Sequence, residues 1–135
     1  GRSLATLGQV AKECRACQVP LMAEMLPLGF GGDPSVEELA VAARVGAEMG
    51  ADIIKTKYAG TPEEYRYVTA SCFAPVVVLG GSERDLGQVT ATIGQALKGG
   101  AAGVAMGRNV WRAPDARAAV GAIVDAVHGV RSPGR

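Results

Sequence analysis

Apolar residues recur along the chain in two rhythms that alternate, and the alternation sets the expected architecture. Leu4, Leu7, Val10, Cys14 and Cys17 share one face of a helical period, and the apolar run from Val19 to Leu26 after them has the length of a strand. Asp33-Pro34-Ser35-Val36-Glu37-Glu38 then predicts a helix start. Ser35 can accept from the backbone N–H of Glu38 while the Glu38 carboxylate reaches back, so two orphan amides are satisfied at once. Gly50 ends that helix, and a strand is expected from Ala51 to Tyr58. Gly60-Thr61-Pro62-Glu63-Glu64 repeats the reciprocal cap, with Pro at the first helical position.

The second half of the chain continues the pattern. Pro75 to Leu79 is a continuous apolar run, as expected of a parallel strand covered on both faces. Leu86, Val89, Ile93 and Leu97 form one helical stripe, Gly99-Gly100 closes it, a strand follows from Ala101 to Met106, and a last helix spans about Pro114 to His128. Residues 129–135, with Ser132-Pro133-Gly134, read as a flexible tail. Strict alternation of strand and helix implies an α/β fold with a parallel sheet. Strands one and three begin at a proline (Val19-Pro20, Ala74-Pro75) and strands two and four at Gly-Ala (Gly50-Ala51, Gly100-Ala101), so the repeating unit is a β-α-β-α pair. Only four such strands are expected, whereas a closed barrel needs eight units and about 250 residues.

Composition narrows the function classes without choosing among them. With 48% hydrophobic and 20% charged residues the chain reads as a globular domain, and its net charge of +1, with scattered basic residues, gives no expectation of nucleic acid or membrane partners. No apolar run nears the roughly 20 residues of a membrane span, and no secretory signal is visible, so a cytoplasmic location is expected. Cys14 and Cys17 form a C-x-x-C, but the third cysteine is distant and His128 is the only histidine. No metal site is expected. Both thiols are read as small buried groups on a helix, and His128 as a solvent-facing residue of the last helix.

The segment Ala51-Asp52-Ile53-Ile54-Lys55-Thr56-Lys57-Tyr58 carries the chemistry. Side chains alternate across a strand, so Lys55 and Lys57 share a face. An unperturbed lysine leaves about one amine in a few thousand neutral near neutral pH. Desolvation and a like-charged neighbour both favour the neutral nucleophile, and a depression of about 3 units corresponds to about 4 kcal/mol. Such an environment suits a Schiff-base lysine. The spacing alone also fits two lysines reaching solvent from a strand end. Beyond the last two strands lie Leu79-Gly80-Gly81-Ser82 and Met106-Gly107-Arg108-Asn109. Glycines there let backbone N–H groups approach a phosphate, and Arg108 can add a bidentate contact. Each glycine taken singly also fits an ordinary turn.

Ala51-Asp52-Ile53-Ile54-Lys55-Thr56-Lys57-Tyr58, Pro75-Val76-Val77-Val78-Leu79-Gly80-Gly81 and Gly107-Arg108-Asn109-Val110-Trp111, in this order, resemble the archaeal-type class I fructose-bisphosphate aldolase family. Tagatose-bisphosphate aldolases and the thiolase of phosphorylated autoinducer-2 are its relatives. The resemblance covers essentially the whole chain and implies a (β/α)8 TIM barrel, of which residues 1–128 are the C-terminal half, from the fourth helix to the eighth. It implies that Lys55 is the Schiff-base residue and that Gly80, Gly81, Gly107 and Arg108 surround the phosphate of a sugar substrate, while the strand face shared with Lys55 makes Lys57 the expected electrostatic helper. No cofactor is implied, and the ring assemblies of relatives imply a homo-oligomer when complete. The family's proton-handling Tyr on strand five has no counterpart in Met22-Ala23-Glu24-Met25-Leu26-Pro27. Glu24 stands nearest, either as acid/base or as a partner of Lys55 or Lys57. Carbon–carbon cleavage of a phosphorylated ketose is the expected reaction. The alternatives are acyl transfer on a phosphorylated diketone and a non-catalytic phosphate-binding half-barrel. Trp111 and Tyr58 are read as packing aromatics.

Overall fold

The computed structural model describes residues 2–29, 31–81 and 85–129. The elements are α1 (Arg2–Ala16), β1 (Met22–Glu24), α2 (Val36–Glu48), β2 (Ile53–Thr56), α3 (Pro62–Ser71), β3 (Val76–Leu79), α4 (Leu86–Lys98), β4 (Gly103–Ala105), α5 (Arg108–Trp111) and α6 (Ala116–His128). All strand pairs are parallel and the sheet order is β1-β2-β3-β4, so each strand lies beside the next in sequence. That sequential order, with a helix in every crossover, is half of a (β/α)8 barrel. Among the described residues no helix is long and apolar enough to cross a membrane.

Both anticipated helix starts are built as the residue types dictate. The Ser35 amide donates to Glu38 Oε2 at 2.9 Å while Ser35 Oγ accepts from the Glu38 amide at 3.2 Å. Thr61 and Glu64 repeat this at 2.8 and 3.3 Å. Gly50 (φ 99°) and Gly100 (φ 91°) share the left-handed conformation that turns a helix into the next strand, so the Gly-Ala echo has a backbone cause. The strands are shorter than their apolar runs. Ala51, Asp52, Tyr58, Ala74 and Ala101 lie outside the ladders, although Ala51, Ala74 and Ala101 are buried.

Alternation along β2 and β3 sorts the side chains. Ile54, Val76 and Val78 turn toward the helices with at most 2% exposure and join Leu39, Ala43, Tyr65 and Val68 in the main core. Burying a side chain the size of Ile54 contributes about 2–3 kcal/mol. Lys55, Val77 and Leu79 face the other side, half-buried, with Glu24 beside Lys55 in register.

Three expectations change. Cys17 lies beyond the end of α1 and is exposed, while Cys14 is only half-buried; Ala11 rather than Val10 is the buried residue of the middle turn. Leu4, Leu7 and Cys14 lie on the half-buried face that the apolar period marks, but the period passes over Ala11 and runs beyond Ala16, after which Gln18 (φ 56°) takes a left-handed conformation. Trp111 does not pack beneath a helix. It is 69% exposed and its ring rests against the Cα of Gly107. Residues 130–135 of the expected tail lie outside the described residues.

Candidate active site

Strand β2 carries Lys55 to the C-terminal edge of the sheet, and β1 delivers Glu24 to the neighbouring register position. Lys55 Nζ lies 3.1 Å from Glu24 Oε1, with the two side chains 27% and 33% exposed. Of the two partners open to Glu24 from the sequence, Lys55 is therefore the one it meets. Lys57 follows at the strand end and donates from Nζ to the Gly32 carbonyl in the β1–α2 connection.

Backbone and side-chain bonds together hold these two strands at both ends of the short ladder. At the N-terminal end the Leu21 amide donates to Asp52 Oδ2 at 2.8 Å, and the Asp52 and Ile53 amides donate to the Leu21 carbonyl. At the other end the Met25 amide donates to the Lys55 carbonyl at 2.8 Å, and Thr56 Oγ1 donates to the Met25 carbonyl at 2.7 Å. Tyr65, fully buried, donates to the Lys57 carbonyl at 3.1 Å, and its ring meets that of Tyr58 at 4.9 Å between centroids, tilted by 57°. Burial, and then the neighbouring Tyr58, push the Tyr65 phenol far above its ordinary range, so it stays a neutral donor. Tyr58 is thus a packing aromatic, as its position suggested.

The two glycine-bearing strand ends adjoin each other. Gly80 follows β3 directly, and the position its Cβ would take is filled by the Asn109 carboxamide, with Met106 Cβ at 3.3 Å. Gly107 caps α5 and leaves room for the Trp111 ring. At both positions a larger residue would have to displace one of the protein's own side chains, the Asn109 carboxamide or the Trp111 ring. Gly81, Arg108, Asn109 and Arg112 line the mouth of a cavity of about 790 Å³, with Leu86 and Val89 of α4 among its apolar walls. The structure thus places the four residues expected around a phosphate at adjacent strand ends, and Glu24 with Lys55 at the first two strands of the same sheet.

Asp52, Thr56, Asn109 and Arg112 were not singled out from the sequence. Thr56 had a signal, a polar residue next to the lysine whose alternation puts it on the helix side. Arg112 had one too, four residues after Arg108. Among the described residues no cluster of three or more His, Cys, Asp or Glu is placed to hold a metal.

A profile of DeoC/LacD family aldolases matches residues 2–113, which include every element from α1 to α5. The chain belongs to the DeoC/LacD aldolase family. It is 39% identical over 132 residues to a 2-amino-4,5-dihydroxy-6-oxo-7-(phosphonooxy)heptanoate synthase of Streptomyces griseus, covering 93% of this chain and 47% of that one. It is 35% identical over 112 residues to the 3-hydroxy-5-phosphonooxypentane-2,4-dione thiolase of Salmonella paratyphi A, covering 82% of this chain and 37% of that one. Among solved structures it resembles an archaeal fructose-1,6-bisphosphate aldolase whose catalytic lysine is covalently bound to the carbinolamine intermediate of the substrate. The TM-score is 0.84 at 28% identity, over 93% of this chain and 52% of that one. The chain thus spans about half the length of the Streptomyces relative and of the archaeal structure, in agreement with four βα units of an eight-unit barrel.

Proposed function

We propose that this chain contributes the Schiff-base half of a class I aldolase that makes or breaks a carbon–carbon bond in a phosphorylated ketose such as fructose 1,6-bisphosphate. The observation that carries the reading is the 3.1 Å contact between Lys55 Nζ and Glu24 Oε1 at the C-terminal edge of a parallel sheet, where barrel enzymes place their chemistry. The Lys55 amine adds to the ketone carbon, the carbinolamine loses water, and the protonated imine becomes an electron sink. In cleavage the bond between the α and β carbons breaks and its electron pair moves into the enamine. The β-hydroxyl proton passes to a carboxylate, and Glu24 is the group within reach of the lysine. Gly80, Gly81, Gly107 and Arg108 bind the phosphate, and Lys57 acts as a neighbouring cation.

Family membership supports aldolase chemistry, and the names of the relatives bear on its direction. The heptanoate named for the Streptomyces relative carries a ketone and a hydroxyl two carbons apart, the relation that an aldol addition leaves. Condensation to a phosphorylated keto product is therefore the synthetic form of the same mechanism. A second reading, acyl transfer on a phosphorylated diketone, rests on the thiolase relative and uses the same lysine.

Proton exchange tests the proposal. An iminium in equilibrium with its enamine exchanges an α-hydrogen of dihydroxyacetone phosphate with solvent in D2O, without any aldehyde. The whole protein should catalyse that exchange and Lys55→Met should not. A folded whole protein that exchanges no α-hydrogen of this ketone would remove the enamine from the mechanism.

A further inference from the structure

The residue after Lys55 is polar and yet fully buried: Thr56 has 0% exposure. A hydroxyl in such a place is costly without a partner and has one, the Met25 carbonyl at 2.7 Å. Met25 directly follows Glu24, and its own amide donates to the Lys55 carbonyl at 2.8 Å. The chain positions 55–56 and 24–25 are thereby linked by two bonds that run in opposite directions between the strands. Lys55 and Glu24, on the other face of the same sheet, project from these linked residues and meet at 3.1 Å.

We propose that Thr56 is a positioning residue for the reaction: its buried hydroxyl fixes the C-terminal end of β1 against β2, and so holds the Glu24 carboxylate at Lys55. The geometry gives three reasons. β1 is only three residues long and an edge of the described sheet, so its own ladder gives it little restraint. Immediately past Met25 the chain leaves the sheet for the β1–α2 connection, so a bond to the Met25 carbonyl acts where the strand would otherwise fray. Asp52 fastens the opposite end of the same pair through the Leu21 amide, which leaves Thr56 as the side-chain fastening on the side of the chemistry. Proton transfer demands the carboxylate at hydrogen-bond reach, and a displacement of about 1 Å can cost about 100-fold in rate.

The inference rests on Lys55 and Glu24 having the roles proposed above, and the test separates the two. Thr56→Val keeps the shape and removes the donor; Thr56→Ser keeps the donor and removes a methyl group. In the whole protein Thr56→Val should lower kcat by about 10-fold or more with KM for the phosphorylated ketose little changed, since the phosphate contacts lie on other strands. Thr56→Ser should recover most of that loss. Equal impairment of both variants, or a Val variant with unaltered kcat, would overturn the positioning role. If the Val variant does not fold, Thr56→Ala against Thr56→Ser gives the same comparison. Loss of activity on Lys55→Met alongside an unaffected Val variant would leave the Schiff-base reading standing and remove Thr56 from it.

Discussion

Replacing Glu24 by Gln separates a proton-transfer residue from a simple counter-ion. The Lys55–Glu24 pair has side chains 27% and 33% exposed, so water screens it, and as an ion pair it contributes on the order of 1 kcal/mol or less. Losing only that interaction changes an equilibrium or rate by about fivefold at most. A positioned general acid/base, by contrast, accounts for about 100- to 10,000-fold, or about 3–5 kcal/mol of barrier. The two outcomes do not overlap. The assay pairs steady-state cleavage of fructose 1,6-bisphosphate with borohydride reduction in the presence of dihydroxyacetone phosphate. Glu24→Gln should lower kcat by about 100-fold or more while the reduced adduct still accumulates, because the amine nucleophile is intact. A kcat within about fivefold of the unaltered protein would refute the proton-transfer role and leave Glu24 as the partner of an ammonium group.

Further outcomes follow from the phosphate end and from packing. Arg108→Ala should raise KM for a phosphorylated substrate more than for its unphosphorylated analogue; equal effects on both would take Arg108 out of the phosphate site. Gly94 in α4 has nothing within 4 Å of where a Cβ would sit, so Gly94→Ala should stabilise by about 1 kcal/mol through helix propensity. A Cβ on Gly46 of α2 would meet Met25 Cγ at 2.7 Å and Ile54 Cδ1 at 2.8 Å, so overpacking of about 1–3 kcal/mol should outweigh the same gain. Thermal melts of the two variants should therefore move in opposite directions, and movement in the same direction would contradict the packing of α2 on β2.

Much of this architecture is legible in the sequence because its signals are local. Ser35 with Glu38 and Thr61 with Glu64 mark helix starts through bonds that span three residues, and both form as expected. The stripe Leu86, Val89, Ile93 and Leu97 fixes α4 and the side it buries. What was missed depends on neighbours in space. The choice of Lys55 over Lys57 as the partner of Glu24 follows from strand register, which no periodicity contains. The helix α5 is four residues long and has no side-chain cap at Gly107, so it leaves neither a period nor a start signal. The exposure of Cys17 turns on where α1 ends, a boundary that the apolar pattern overran. The phosphate glycines show the same division. Their presence is plain in the sequence, but that Asn109 and Trp111 fill the space beside Gly80 and Gly107 requires the folded chain.

The most direct test of the central claim is the location of the covalent intermediate. The whole protein is reduced with borohydride in the presence of dihydroxyacetone phosphate, digested, and its peptides are weighed by mass spectrometry. A single adduct on Lys55, absent from Lys55→Met and still formed in Lys57→Met, is the expected result. An adduct on Lys57 would invert the roles assigned to the two lysines, and the absence of any adduct with phosphorylated ketoses would contradict the Schiff-base mechanism.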